Sequence, residues 1–219
     1  MKEALVDKTL KVIEPISKME FVRSYFLVGG TALALQLQHR LSEDLDFMCW
    51  KQSQRDKQDI NIAKIKSELS QNFTVIKVDI LANNHIEIFV DDEVKLSFYI
   101  PNKIKPVINP IHYQNNLILA DIDCIAALKM ELFLRRNEFR DYYDLYCILK
   151  EKDVENIKQI IDNALKYSEY QLKSKNLIGM LTNGERFKEN SDFIQLAPKH
   201  AVTAKEIEQF MVDRVRNLY

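Results

Sequence analysis

Asp44 and Asp46 are separated by one residue within Glu43-Asp44-Leu45-Asp46-Phe47-Met48-Cys49-Trp50, a run that reads as a strand. Strand alternation puts both carboxylates on one face, with Leu45 and Phe47 on the other. Two like charges this close repel, and a buried face demands neutralisation. A divalent cation is the usual solution, and hard oxygen donors favour Mg²⁺ or Mn²⁺. The same spacing also suits an exposed strand face with two solvated aspartates. Upstream stands Gly29-Gly30-Thr31, with Gly30 fourteen positions before Asp44. A Gly-Gly turn from strand to helix lets backbone N–H groups approach an anion, and the helix N-terminus adds partial positive charge. Thr31 offers a hydroxyl at the same place, although a plain tight turn is the simpler use of two glycines. A phosphate cradle and a metal-binding pair this close together describe a nucleoside-triphosphate site.

These residues need a scaffold. Tyr25-Phe26-Leu27-Val28 is a short apolar run that predicts a buried strand ending at the glycine pair, and Thr31–Gln38 restarts with good helix formers. Before them, Leu5–Phe21 carries apolar residues at helical spacing, with Pro15 predicting a break or kink near Glu14. Ile60–Leu69 reads as a helix. Three β-rich runs follow at Phe73–Leu81, Ile86–Val90 and Val94–Ile100, joined through Asn83-Asn84 and Asp91-Asp92 as hairpins. Pro101, Pro106 and Pro110 then predict an extended stretch closing the strand region. From Asp121 the pattern is helical over 121–136, 140–150, 153–170 and 203–217, while 175–200 reads as a loop-rich excursion. The expected architecture is α/β (α+β): a core with a mixed sheet over 1–115, then a helical C-terminal domain over 116–219.

The helical half holds a second set of charged residues. Lys129 sits among Ile125, Ala126, Leu128, Met130 and Leu132, and a lysine in such company needs a reason. Arg136 lies seven residues on, so it shares a helical face with Lys129; Arg140 and Asp144 are four apart, the spacing of an ordinary surface ion pair. Tyr142, Tyr143 and Tyr146 have helix-packing positions and could also stack on a base.

The 219 residues carry 31 Lys+Arg against 32 Asp+Glu, a net charge of −1 that argues against a dedicated nucleic-acid coat. Cys49, Cys124 and Cys147 form no C-x-x-C pair and read as small buried hydrophobes of a reducing cytoplasm. The charges at Lys2, Glu3, Asp7 and Lys8 predict no signal peptide, and the longest apolar run is too short for a membrane span. His39 and His112 lack partners at metal-ligand spacing, G-x-S-x-G is absent, and no Walker A lysine follows Gly30.

The stretches G-G-T-A-L-A-L and H-R-L-S-E-D-L-D-F resemble the AbiEii/AbiGii toxin family of nucleotidyltransferases, within the polymerase-beta-like superfamily. That superfamily shows a hydrophobic-G-[GS] turn, a spacer and an acidic-x-acidic pair; Val28-Gly29-Gly30 and Asp44-Leu45-Asp46 fit it. The family's later lysine and R-D-x-x-D-L stretch are matched by Lys129 and Arg140-Asp141-Tyr142-Tyr143-Asp144-Leu145. The resemblance implies an NTP- and Mg²⁺- or Mn²⁺-dependent transfer of a nucleotide to an acceptor hydroxyl on tRNA or another RNA, with a cognate antitoxin protein as partner. By it, Gly29, Gly30 and Thr31 hold the triphosphate, Ser42 supports the turn or touches a phosphate, Asp44 and Asp46 bind metal, Lys129 and Arg140 contact the nucleotide, and Asp141 completes the site. Lys129, Arg135, Arg136 and Arg140 would suit RNA phosphates. Many superfamily members carry a third carboxylate on a later strand. The corresponding run here, Val94–Tyr99, offers Ser97, with Asp79 and Glu87 on neighbouring strands. The alternative is a nucleotide-binding regulatory or interaction protein that keeps the fold without catalysis.

Overall fold

The structure, a computed structural model, describes residues 4–51, 53, 55, 59–91, 93–102, 109–169, 171–189 and 191–216. Lys2, Glu3, Asp92, Pro106 and the predicted helix end at residue 217 lie outside the described residues. The chain divides into two compact units, Met1–Asp121 and Ile122–Tyr219.

The first unit runs α1 (Asp7–Ser17), a 3₁₀ turn (Phe21–Ser24), β1 (Phe26–Val28), α2 (Gly29–Leu37), β2 (Leu45–Met48), α3 (Ile62–Leu69), β3 (Val75–Ala82), β4 (His85–Val90), β5 (Val94–Tyr99), β6 (Ile111–Gln114) and β7 (Leu117–Leu119). The strands form one mixed seven-stranded sheet in the order β3-β4-β5-β2-β1-β7-β6. β2 runs parallel to β5, and β1 parallel to β7, while the remaining neighbours are antiparallel. This is the mixed α/β class expected from the alternation of strand and helix patterns.

The period-2 pattern of β2, β4 and β5 divides the sheet into two faces. Leu45, Phe47, Ile86, Ile88, Leu96 and Phe98 are buried in the core, and the intervening polar residues stay partly open. Phe47 and Phe98 stack with ring centroids 5.2 Å apart, and Tyr25 meets each of them edge-on. Each buried aromatic contributes about 2–3 kcal/mol by burial, and a well-placed ring pair adds about 1 kcal/mol. Burial also pushes the Tyr25 phenol up to about 12, followed by the effect of Cys49 beside it.

Two expectations for this unit differ from the structure. α1 continues through Pro15 to Ser17 instead of breaking near Glu14. The proline sits close to the helix end, so few helical bonds beyond it are at stake. Burial of Ile16 and the Ser17 hydroxyl donating to the Glu14 carbonyl (2.7 Å) hold the last turn. The stretch after Pro101 holds the β6–β7 hairpin, which turns at Asn115 in the left-handed region (φ 48°) and supplies the sheet's β7.

The second unit contains α4 (Ile122–Leu132), α5 (Phe139–Lys150), α6 (Val154–Tyr167), α7 (Ser174–Leu181) and α8 (Ala204–Arg216). α4 packs on α5 and α6, and α8 packs on α5 and α7. α7 lies in the region read as a loop-rich excursion; Leu177, Met180 and Leu181 bury its apolar side. Tyr142, Tyr143 and Tyr146 are packing residues. Tyr142 is fully buried, stacks on Phe187 at 4.2 Å and donates its hydroxyl to the Leu181 carbonyl at 2.6 Å. Cys124 and Cys147 are buried, Cys49 is half-buried, and all three are free thiols. No helix is long and apolar enough to cross a membrane among the described residues.

Candidate active site

β1 ends at Val28 in extended geometry, and the chain turns at Gly29 with φ +68° to enter α2. That conformation favours glycine, and the space around it requires glycine as well. A Cβ on Gly29 would lie 2.4 Å from the Asp46 Oδ2 atom. Register explains the approach, since Val28 pairs with Asp46 across β1 and β2. The Asp46 carboxylate therefore rests on the bare backbone that opens α2, where the helix dipole favours negative charge.

Gly30 makes a second close approach. A Cβ there would lie 2.6 Å from Arg40 Nη2 and 3.2 Å from Ser42 Oγ. Arg40 is only 4% exposed and donates from Nη1 to the Leu41 carbonyl at 2.8 Å. Its guanidinium thus lies against the glycine turn, a contact that sequence reasoning did not assign. A basic residue between the end of α2 and the acidic strand was the available signal. α2 itself closes at Gln38 in the left-handed region, which returns the chain towards the sheet.

The loop from Arg40 to Asp44 is fixed on two sides. Ser42 exchanges backbone hydrogen bonds with the segment before α1, through Ser42 N to the Ala4 carbonyl (2.9 Å) and Val6 N to the Ser42 carbonyl (3.1 Å). Thr9 donates its hydroxyl to the Glu43 carbonyl. Thr31, fully buried, bonds the Asp44 carbonyl and the Ser42 hydroxyl, the latter at 2.9 Å. The structure thus turns the Thr31 and Ser42 hydroxyls onto each other and onto the loop that carries Asp44.

Asp44 and Asp46 share the polar face of the sheet. The Asp44 carboxylate meets Lys95 Nζ at 3.2 Å, and Glu87 lies 3.9 Å from the same ammonium. Asp46 stands in register with Ser97 on β5, Ser97 with Glu87 on β4, and Glu87 with Asp79 on β3. Asp46, Ser97, Glu87 and Asp79 thus form one row across four strands. Ser97 Oγ is also 3.3 Å from His85 Nε2. Among the described residues, no group of three or more His, Cys, Asp or Glu side chains converges as a complete metal cage. The two aspartates offer the hard oxygen donors that a divalent cation takes, and Asp46 Oδ2 lies against the bare Gly29 backbone.

In the second unit, Lys129 and Asp141 come together. Lys129 Nζ lies 2.6 Å from both Asp141 Oδ1 and Asp144 Oδ2, and all three side chains are almost wholly buried. Arg136 grips Asp141 through Nε to Oδ2 (2.7 Å) and Nη2 to Oδ1 (3.1 Å). Burial alone would raise the Asp141 carboxyl, but Lys129 and Arg136 outweigh it and hold the group below the usual carboxylate range. Asp144, expected as one end of a surface pair with Arg140, is turned inward to Lys129. Arg140 is half-buried on α5. Of the cations considered for RNA contact, Arg135 faces Glu131 and Glu169 at 3.5 and 3.8 Å, and Arg136 faces Asp141. Their charge is largely met within the unit.

Residues 14–216 match the model of a family described as nucleotidyl transferase AbiEii toxin, type IV toxin–antitoxin system. A curated relative is an uncharacterized protein of Aquifex aeolicus (strain VF5), 24% identical over 174 residues, which cover 77% of this chain and 79% of that protein. Among solved structures, JHP933 from Helicobacter pylori is similar with a TM-score of 0.54 at 18% identity, covering 98% of this chain and 95% of its own. MenT4, nucleotidyltransferase toxin Rv2826c from Mycobacterium tuberculosis H37Rv, is similar with a TM-score of 0.55 at 14% identity, covering 99% and 88%. At these identities the two structures establish a shared fold.

Proposed function

This chain belongs to the AbiEii family of nucleotidyl transferase toxins, and on that premise we propose that it moves a nucleotide from an NTP to an acceptor hydroxyl, with tRNA or another RNA as acceptor. The observation that carries the reading is the Asp46 carboxylate seated on Gly29 at the start of α2, with Asp44 on the same sheet face. Asp44 and Asp46 would hold Mg²⁺ or Mn²⁺. When bound, such an ion neutralises phosphate charge and supports in-line displacement at the α-phosphate. The backbone N–H groups at the start of α2 bind the phosphate chain, helped by the helix dipole and by the Arg40 guanidinium close behind Gly30. Thr31 and Ser42 act by holding the Asp44 loop in place. The family's type IV system supports a cognate antitoxin as partner, and an NTP-using, RNA-modifying toxin would work in the cytoplasm.

The test is Asp46→Asn, assayed with each α-labelled NTP, Mg²⁺ or Mn²⁺ and total tRNA. Loss of label transfer with little change in melting temperature is expected; full activity in the variant would sink the assignment. A second reading, nucleotide binding without transfer, draws on Ser97 standing beside Asp46 where an acid was expected. It requires nucleotide to raise the melting temperature without release of pyrophosphate.

A further inference from the structure

We propose that Ser97 and His85 form the proton-accepting pair of this site, His85 Nε2 taking the acceptor hydroxyl's proton through Ser97 Oγ. The inference rests on the transferase reading above and names a proton acceptor for it.

Three observations lead to it. Ser97 is the β5 residue in register with Asp46, so its hydroxyl stands beside the carboxylate at which the reaction would be centred. Its Oγ lies 3.3 Å from His85 Nε2, within hydrogen-bond reach on the neighbouring strand. Glu87, the carboxylate on the other side of Ser97 in the same row, lies 3.9 Å from the Lys95 ammonium that also meets Asp44. An imidazole is also the side chain best matched to accepting a proton near neutral pH.

The step balances. The acceptor oxygen forms a bond to the α-phosphorus while the bond from that phosphorus to the oxygen leading to the β-phosphate breaks, and the electron pair leaves with pyrophosphate. The acceptor's proton passes to Ser97 Oγ as the Ser97 proton passes to His85 Nε2, leaving an imidazolium that returns its proton to solvent. The working form of His85 therefore has Nε2 unprotonated. The titratable groups facing it are Tyr99, whose ring lies edge-on at 5.4 Å, and Glu87 and Lys95, with Asp79 on β3 and Asp46 on β2 in the adjoining row. An imidazole is the side chain whose ordinary pKa lies near neutral pH, so an acid limb that disappears in His85→Asn reports this residue.

The experiment follows transfer from α-labelled NTP to total tRNA over pH 5.5–8.5 with His85→Asn, Ser97→Ala and Ser97→Asp, and measures each melting temperature. His85→Asn and Ser97→Ala should each lower kcat about a hundredfold, with KM for the NTP nearly unchanged. The acid limb of the wild type should flatten in His85→Asn. Ser97→Asp, which puts a carboxylate beside Asp46, should restore turnover even when combined with His85→Asn; a purely structural Ser97–His85 contact gives no such rescue. If His85→Asn does not fold, Ser97→Ala, which removes a single hydroxyl, carries the test. Wild-type transfer with an unchanged kcat and acid limb in His85→Asn overturns the pair and leaves the transferase standing. Absence of transfer by the wild type with every NTP removes both.

Discussion

Gly29 and Gly30 are neighbours with different obligations. At Gly29 a methyl group meets the Asp46 carboxylate at 2.4 Å, and the backbone sits at φ +68°. Gly29→Ala therefore combines about 1–2 kcal/mol of left-handed strain with displacement of the acid on which the reaction reading depends. At Gly30 the methyl group meets the far end of the Arg40 side chain, which can give way more readily. Gly29→Ala should abolish transfer and lower the melting temperature, whereas Gly30→Ala should retain measurable transfer. Equal losses in the two variants, measured by label transfer and thermal unfolding, would refute this distinction. Arg40 also illustrates what a sequence hides. The glycines and aspartates announce themselves by spacing, but a guanidinium folded behind a turn is visible only once the chain has turned back from α2.

Among the elements, the strands at the centre of the sheet were legible because strict alternation in β2, β4 and β5 leaves one face apolar. β6 and β7 were not, because strands of four and three residues are too short to show a period. Their one local signal was the Asn115-Asn116 pair, which is the turn itself. Asn115 takes φ 48°, its side chain donates to the Ser17 hydroxyl at 2.7 Å, and Asn116 N donates to the Ser17 carbonyl at 2.8 Å. Asn115→Ala should destabilise the protein by about 1–2 kcal/mol, from a lost hydrogen bond and left-handed strain together. Asn115→Gly should lose less, since glycine accepts that backbone; denaturant midpoints of the two variants check the order. α7 escaped notice for a different reason. Gly179 lies inside its eight residues and Gly184 just beyond them, and its position is fixed by packing against α8 and by the Tyr142 bond to Leu181.

At the scale of the molecule, the acidic pair and glycine turn were readable because they lie close in sequence. The partners Lys95, Ser97 and His85 come from a distant hairpin brought alongside by parallel pairing of β2 with β5. The cluster of Lys129, Asp141, Asp144 and Arg136 gives the whole protein a dependence on acidity. Asp141 is held below the ordinary carboxylate range, so its contribution to stability is present above about pH 4 and is lost as pH falls through its lower native value. Unfolding midpoints followed from pH 7 to 3 should fall more steeply for the wild type than for Asp141→Asn, which starts less stable at neutral pH. Parallel curves would show that Asp141 contributes no such linkage. Removing the cation instead, as Lys129→Met, leaves two buried carboxylates with less compensation and should destabilise by about 3–5 kcal/mol.

The alternation of β5 has one more consequence. Lys95 and Ser97 point to the polar face that carries Asp46 because Leu96 and Phe98 point to the core. The polar face and the core are thus written in a single reading frame. A substitution can alter either one alone, but deleting one residue from this strand would exchange the two sides and ruin both at once. Variation in this hairpin should therefore proceed by replacement within a fixed length, with insertions and deletions confined to its turns.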